Sequence, residues 1–218
     1  MNSFDAARTR MIESQLRPNK VTDDRVLGAF ARIRRELFVP EHLRSVAYID
    51  EDLPLGRGRY LMEPMVAARL LQAAAVKRTD TALIVGAGSG YEAAVAALLA
   101  RAVVAVEEDA ELAKQAHAAF VEHAIASVGI VEGSPAQGYR QRSPFDVVLF
   151  AGAVSELPSE ITAQLAEEGR LVVVIRPENG VGRAVLARRT AGLLARRVIF
   201  DAAIPLLRGF EPKPAFVF

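Results

Sequence analysis

The stretch "TALIVGAGSGYE", residues 81–92, joins an apolar run to three glycines at every second position, Gly86, Gly88 and Gly90. A strand, a glycine turn and a helix in succession favour a loop whose bare backbone receives a ligand. The dinucleotide fingerprint G-x-G-x-x-G is not matched, because Tyr91 stands where its third glycine belongs. The spacing is closer to a loop that wraps a nucleoside with an amino-acid tail, and it disfavours a nicotinamide-dependent oxidoreductase. A purely structural turn is the alternative.

From residue 80 onward, short apolar strands alternate with helices. The predicted strands are "TALIVG", "AVVAVEE", "SVGIVEG", "FDVVLFAG", "GRLVVVIR", "RAVLARRT" and "ARRVIFDAAI". The predicted helices between them are "GYEAAVAALLA", "DAELAKQAHAAFVEH" with Asp109 as its cap, and "LPSEITAQLAEE". Such alternation indicates a mostly parallel sheet buried on both faces, and the short Ala-Gly turn predicts an antiparallel hairpin at one edge.

Residues 1 to about 75 follow a different, mainly helical pattern. "SFDAARTRMIESQL" is expected to end before Pro18, and "TDDRVLGAFARI" to begin with Thr22 as its N-cap. "PEHLRSVAY" is a short helix opened by Pro40, and "PMVAARLLQAAAV" is a fourth helix. The segment 51–64, "EDLPLGRGRYLMEP", has two prolines, two glycines and little periodicity, and is predicted to be a loop.

Composition excludes several classes of function. The 218 residues carry a net charge of +1, which argues against nucleic acid as a partner. The chain has no cysteine, and its three histidines lack a metal-ligand spacing, so no metal site is expected. No apolar run is long enough to cross a bilayer, so a soluble cytoplasmic protein without a membrane partner is expected.

Two residues that follow later strands are candidate ligand contacts. Glu107 ends the second predicted strand, 21 residues after Gly86, where a carboxylate accepts hydrogen bonds from both hydroxyls of a ribose. Ser134 follows the third strand and could reach an adenine edge. The alternatives are a solvated strand-end acid and a turn serine.

Together these segments resemble a Rossmann-like class I methyltransferase that uses S-adenosylmethionine. The chain is most similar to the protein-L-isoaspartate O-methyltransferase family, through "MIESQLRPNKVTDDRVLGAFARIRRELFVPEHLRSVAYIDEDLPLG" followed by "GAGSGYEAAVAALLA", "VVAVEEDAELAKQA", "PFDVVLFAGAVSELP" and "LAEEGRLVVVI". The resemblance implies a seven-stranded, mostly parallel sheet with helices on both faces, preceded by an N-terminal helical region. It also implies methyl transfer to the carboxylate of L-isoaspartyl residues in damaged proteins, which is a protein-repair activity.

The resemblance assigns roles by position. The residues Gly86, Ala87, Gly88, Ser89 and Gly90 would line the methionine part of the cofactor, Glu107 would hold the ribose and Ser134 the adenine region. Many family members have an aspartate at the Ser134 position. Residues 1–78 would form the helical region and substrate loop, and 79–218 the cofactor-binding domain, within one compact unit.

The substrate loop departs from the family pattern G-x-T-I-S-x-P. Aligning Gly58 and Pro64 of "LGRGRYLMEP" places Tyr60 at the threonine and Met62 at the serine. The candidates for substrate contact are therefore Arg59, Tyr60, Leu61 and Met62, and no catalytic residue is assigned among them. A second departure is Ile84, where the family usually has an acid.

Three functions follow from these residues. The first is isoaspartyl methylation, in which the anionic carboxylate needs alignment and no general base. The second is methylation of another protein or small-molecule substrate by a divergent relative. The third is a cofactor-binding or interaction protein without catalysis. Residues 209–218, "GFEPKPAFVF", are either a last buried strand or a partner surface; the oligomeric state is not determined.

Overall fold

The computed structural model describes residues 3–178 and 180–212. Within these residues the α-helices are α1 (Ser3–Met11), α2 (Asp24–Arg32), α3 (Pro64–Ala74), α4 (Tyr91–Ala97), α5 (Ala110–Glu122) and α6 (Ser159–Thr162). The strands are β1 (Leu53–Gly56), β2 (Arg59–Leu61), β3 (Thr81–Val85), β4 (Ala102–Glu107), β5 (Val128–Glu132), β6 (Phe145–Val154), β7 (Leu165–Ile175), β8 (Arg183–Thr190) and β9 (Leu193–Asp201). A π-helical turn, Ile12–Leu16, continues α1.

Seven strands form one sheet in the order β5-β4-β3-β6-β7-β8-β9. The strands from β3 to β7 are parallel to their neighbours, whereas β8 is antiparallel to β7 and β9 to β8. Ala191 and Gly192 join the last two strands with φ angles of 51° and 75°, the backbone that tight hairpins prefer. The mostly parallel sheet and the edge hairpin predicted from the sequence are confirmed.

Strand β3 shows how the two sides of the sheet are filled. Its residues alternate between two cores, Ala82 and Ile84 in one and Leu83 and Val85 in the other. The first core also takes in the apolar faces of α2, α3, α4 and α5, so the N-terminal helices and the sheet share it. On the second side, which α6 and two 3₁₀ turns flank, the core includes Leu207 from the C-terminal segment.

Three local predictions were wrong. Segment 51–64 contains an antiparallel hairpin, β1–β2, because Arg57 and Gly58 adopt φ angles of 54° and 73° and close a tight turn. The helix expected over "LPSEITAQLAEE" is only the short α6, since Leu165 already pairs with Phe145 of β6. The N-cap of α2 is Asp23, whose carboxylate accepts from the Arg25 backbone, and not Thr22.

The C-terminal segment, residues 202–212, returns across the carboxyl end of β6. The Ala153 backbone N–H donates to the Pro205 carbonyl at 2.9 Å, and Leu207 N–H donates to the Ala153 carbonyl at 2.7 Å. Residues 213–218, which hold most of the predicted last strand or partner surface, lie outside the described residues. Among the described helices, none has the length and apolar character needed to span a membrane.

Candidate active site

The glycine loop after β3 lies at the carboxyl end of the parallel strands, where open α/β sheets bind ligands. Gly86, Gly88 and Gly90 have φ angles of 69°, 55° and 90°, a backbone that residues with a Cβ rarely adopt. The Ala87 N–H donates to the Val106 carbonyl of β4 at 3.0 Å, which fixes the loop against the neighbouring strand. The glycines are therefore required by the backbone of the turn.

Glu107 lies at the tip of β4 and turns its carboxylate towards this loop. Its side chain is 0% exposed, and its Oε2 accepts the Gly88 backbone N–H at 2.6 Å. Its Oε1 accepts the N–H groups of Glu108 and Asp109, both at 3.1 Å. The spacing of 21 residues read from the sequence thus places this acid against the glycine loop, and it is not a solvated strand-end acid.

Arg59 of β2 contacts the same carboxylate. Its Nη2 donates to Glu107 Oε2 at 2.7 Å, and its side chain is only 3% exposed. Its Nη1 is buried and has no hydrogen-bond partner. Arg59 is one of the substrate-loop candidates, and no feature of the sequence indicates that it pairs with Glu107.

Two apolar side chains complete the cover over the glycine loop. A Cβ built on Gly88 would lie 3.0 Å from Leu55 Cδ1 of the β1–β2 hairpin. A Cβ built on Gly86 would lie 2.9 Å from Leu207 Cδ2 and 3.1 Å from Arg59 Nη2. The hairpin and the C-terminal segment therefore occupy the space directly above the bare backbone.

The other substrate-loop candidates separate into exposed and buried residues. Tyr60 is 42% exposed, whereas Leu61 and Met62 are buried. Both Tyr60 and Met62 line a small cavity beside Arg59, together with Asp52, Gly58 and residues 151–152 and 204–207. The two positions where the family has hydroxyls thus face one cavity, although their side chains differ from the family pattern.

The remaining predicted contacts differ in their surroundings. Ala87 and Ser89 are buried in the loop, and the Ser89 hydroxyl has no hydrogen-bond partner. Ser134 is exposed at the carboxyl end of β5, at the start of a 3₁₀ turn over Pro135–Gln137. Its contact with an adenine ring stays a prediction.

A buried charged group behind the loop was missed by the sequence analysis. Arg35 is fully buried; it donates to the carbonyls of Ala47 and Met62 at 2.7 Å and lies 4.8 Å from the centre of the Tyr91 ring. Burial raises the pKa of the neighbouring Glu92 carboxyl to about 7, while the positive charge of Arg35 opposes that rise. No periodic signal identifies these residues, because their positions read as ordinary surface charges in a helical pattern.

Some of these features favour an adenosine-bearing ligand, and others restrict the space for it in this structure. The glycines leave the loop without side chains, Glu107 offers a carboxylate at the neighbouring strand tip, and the Ser89 hydroxyl has no hydrogen-bond partner. The side chains of Leu55, Arg59 and Leu207 lie directly over this backbone, within about 3 Å of a Cβ built on Gly86 or Gly88. The seven-stranded sheet, its glycine loop and the acid at the neighbouring strand tip define a class I S-adenosylmethionine-dependent methyltransferase.

Comparisons with known proteins narrow this class to one family. The family model "Protein-L-isoaspartate(D-aspartate) O-methyltransferase (PCMT)" matches residues 6–202. A protein-L-isoaspartate O-methyltransferase of Koribacter versatilis (strain Ellin345) is 37% identical over 216 residues, which are 97% of this chain and 96% of that protein. The chain therefore belongs to the protein-L-isoaspartate O-methyltransferase family.

Solved structures agree on the fold. A protein-L-isoaspartate O-methyltransferase superposes with a TM-score of 0.80 at 25% identity, over 93% of this chain and 66% of that one. A putative member from Plasmodium falciparum, solved with S-adenosyl-L-homocysteine, gives a TM-score of 0.77 at 20% identity, over 95% of this chain and 99% of that one. The family, fold class, enzyme class and S-adenosylmethionine as the cofactor of that class, all predicted from the sequence, are confirmed.

Proposed function

We propose that this chain methylates the free carboxylate of L-isoaspartyl residues in proteins or peptides, with S-adenosylmethionine as methyl donor and S-adenosylhomocysteine as product. The observation that carries the proposal is the buried Glu107 carboxylate, hydrogen-bonded to the Gly88 backbone at the tip of β4. This pairing joins an acceptor for ribose hydroxyls to a backbone that a nucleoside can approach closely. Family membership supplies the substrate class.

The reaction requires mainly that the protein align the substrate carboxylate with the methyl group of the cofactor. When bound, S-adenosylmethionine supplies an electrophilic methyl group on a sulfonium sulfur. The substrate carboxylate is already ionised at neutral pH and needs no general base. The residues of this chain therefore have to hold the carboxylate in line and exclude water, which together lower a barrier by about 7 kcal/mol or more.

Arg59 and Tyr60 are the proposed substrate contacts. Both line the cavity beside the glycine loop, and they offer a guanidinium and a phenol to a carboxylate. Met62 is proposed as an apolar wall, because it is buried and lines the same cavity. Ser134 is proposed at the adenine end of the site.

The direct test is methyl transfer to a synthetic peptide that contains one L-isoaspartyl residue. The same peptide with an ordinary aspartate is the control, because the two differ only in which carboxyl group forms the backbone bond. We expect S-adenosylhomocysteine and a peptide methyl ester with the isoaspartyl form alone, measured by mass spectrometry. Binding of S-adenosylhomocysteine with no ester on either peptide would contradict the proposal.

A second candidate function is methylation of a different substrate by the same site. It is favoured by Tyr60 and Met62, which replace two small hydroxyl side chains with larger ones and reshape the cavity. A cell extract incubated with labelled S-adenosylmethionine tests this candidate. Label on a component other than an isoaspartyl protein would support it, whereas unlabelled extract with intact cofactor binding would favour a non-catalytic protein.

We place the enzyme in the cytoplasm, without nucleic-acid or membrane partners. Residues 1–78 are proposed to form the helical region and substrate loop, and 79–218 the cofactor-binding domain, within one compact unit.

A further inference from the structure

Three arginines from the covering segments face three consecutive acids at the tip of β4. Arg59 pairs with Glu107 at 2.7 Å, Arg57 with Asp109 at 3.1 Å, and Arg208 with Glu108 at 3.7 Å. The side chains of Arg57 and Arg208 are 65% and 69% exposed, so water and salt screen their pairs. The Arg59 pair is shielded from solvent and dominates this contact.

The carboxylate of Glu107 has no capacity left for a ribose while Arg59 is bound. Its Oε1 accepts two backbone N–H groups, and its Oε2 accepts Gly88 N–H and Arg59 Nη2. A carboxylate offers about four acceptor positions in total. Three of its four donors are backbone groups of the loop and strand end, so the Arg59 side chain is the partner that can leave.

The second terminal nitrogen of Arg59, Nη1, suggests that this side chain has another binding partner. Its Nη1 is buried without an acceptor, and the residue lines the cavity next to Tyr60 and Gly152. A buried guanidinium nitrogen without an acceptor is costly, and a carboxylate is the anion that its geometry matches best. The isoaspartyl carboxylate is such an anion.

We propose that Arg59 exchanges partners during binding: it holds Glu107 before the cofactor arrives, and it holds the substrate carboxylate after a hydroxyl of the cofactor ribose has taken its position on Glu107. The exchange rests on the proposed function for the nature of the substrate. It makes Arg59 an internal competitor of the cofactor and a specificity-determining residue for the substrate. Cofactor and substrate then bind in a preferred order, since the substrate site is completed only when Arg59 is released.

The exchange has a thermodynamic signature in the native chain. S-adenosylhomocysteine should increase the affinity for an isoaspartyl peptide about tenfold or more, and the peptide should increase the affinity for S-adenosylhomocysteine by the same factor. Isothermal titration calorimetry of the unmodified protein measures both. Equal peptide affinity with and without S-adenosylhomocysteine would overturn the exchange.

Arg59→Gln separates the two roles of the side chain. Without the competing guanidinium, S-adenosylhomocysteine should bind at least tenfold more tightly, whereas the isoaspartyl peptide should bind at least tenfold more weakly and independently of the cofactor. Arg57→Gln is the matched control: it removes the same charge from the same hairpin, and S-adenosylhomocysteine affinity should stay within about twofold of the native value. Thermal unfolding of both variants verifies that they are folded.

The outcomes separate this inference from the proposed function. Weaker or unchanged S-adenosylhomocysteine binding by Arg59→Gln would overturn the exchange even if the native enzyme esterifies the peptide. If the native chain shows the coupled binding but forms no ester, the exchange stands and the proposed function fails. Should Arg59→Gln not fold, the coupling measured on the native chain decides alone.

Discussion

Replacing Glu107 with glutamine should destabilise the protein strongly, because it leaves a buried cation without its charge partner. The Glu107 and Arg59 side chains are 0% and 3% exposed, and their closest atoms are 2.7 Å apart. Removing one member of such a buried pair costs about 3–5 kcal/mol. Glutamine also turns one acceptor oxygen into an NH₂ group, so it cannot satisfy all three backbone N–H groups that the carboxylate accepts.

The expected loss is a large part of the total stability. A domain of this kind has a free energy of unfolding of about 5–15 kcal/mol. At about 2–4 °C per kcal/mol for a chain of this size, the midpoint should fall by roughly 6–20 °C. Urea unfolding at neutral pH, followed by circular dichroism, measures the change in free energy directly.

Glu132→Gln is the matched control for this substitution. Glu132 ends the next strand, β5, and pairs with Glu107 in the strand register, but it is exposed. The control should change the free energy of unfolding by less than about 0.5 kcal/mol.

A double variant tests whether the loss comes from the unpaired charge. Arg59→Met with Glu107→Gln removes both charges, and it should recover a clear part of the stability lost by Glu107→Gln alone. The double-mutant cycle should give a coupling of about 2 kcal/mol or more. A loss below about 1 kcal/mol in Glu107→Gln would refute the reasoning, since the pair would then contribute no more than a surface contact.

Three further substitutions address other parts of the site. Gly88→Val should abolish binding of S-adenosylhomocysteine, because the new side chain would fill the space over the loop that the ligand is proposed to occupy, and Gly88 has a φ of 55°, which valine rarely adopts; unchanged affinity by calorimetry would show that the loop does not receive the ligand. Glu92→Gln should stabilise the protein at pH 8 by as much as about 3 kcal/mol, because burial raises the pKa of Glu92 from 4.5 to about 7 and the charged form is disfavoured despite nearby Arg35 and Arg59. Between about pH 4.5 and 7 the folded state holds a proton that the unfolded state has lost, so the stability of the native chain falls as the pH rises through this range. Urea titrations at several pH values should show that the free energy of unfolding depends less on pH in the variant than in the native chain. Asp109→Ala should cost about 1 kcal/mol, because the carboxylate caps α5 by accepting from the backbone of residues 111 and 112; an unchanged urea midpoint would contradict this role.

The two departures of the substrate loop from the pattern of the resembled family lie in different surroundings. Met62, which the sequence comparison aligns with the serine of the pattern G-x-T-I-S-x-P, is buried, and its backbone carbonyl accepts from Arg35. Tyr60, at the threonine position, is partly exposed beside the cavity. The two positions therefore differ in what they offer a substrate: an apolar wall at one and a phenol at the other.

The sequence by itself determined the sheet, the glycine loop and the position of Glu107. Continuous apolar runs specify buried parallel strands, and three alternating glycines specify a backbone that other residues rarely adopt. One helix and one strand separate Gly86 from Glu107 along the chain, so parallel pairing of β3 and β4 brings these two residues together. These features depend on neighbouring residues or on one short connection between strands, and they can therefore be predicted from the sequence.

Only the tertiary structure decided what lies over the loop. Arg59 is 48 residues from Glu107, and Leu207 is 121 residues from Gly86, so no periodicity links them. The β1–β2 hairpin has no clear sequence signal, because prolines and glycines obscure the pattern of strands that are only four and three residues long. The burial of an ion pair depends on segments that meet only after folding, and for that reason the covered state of this site could not be derived from the order of residues.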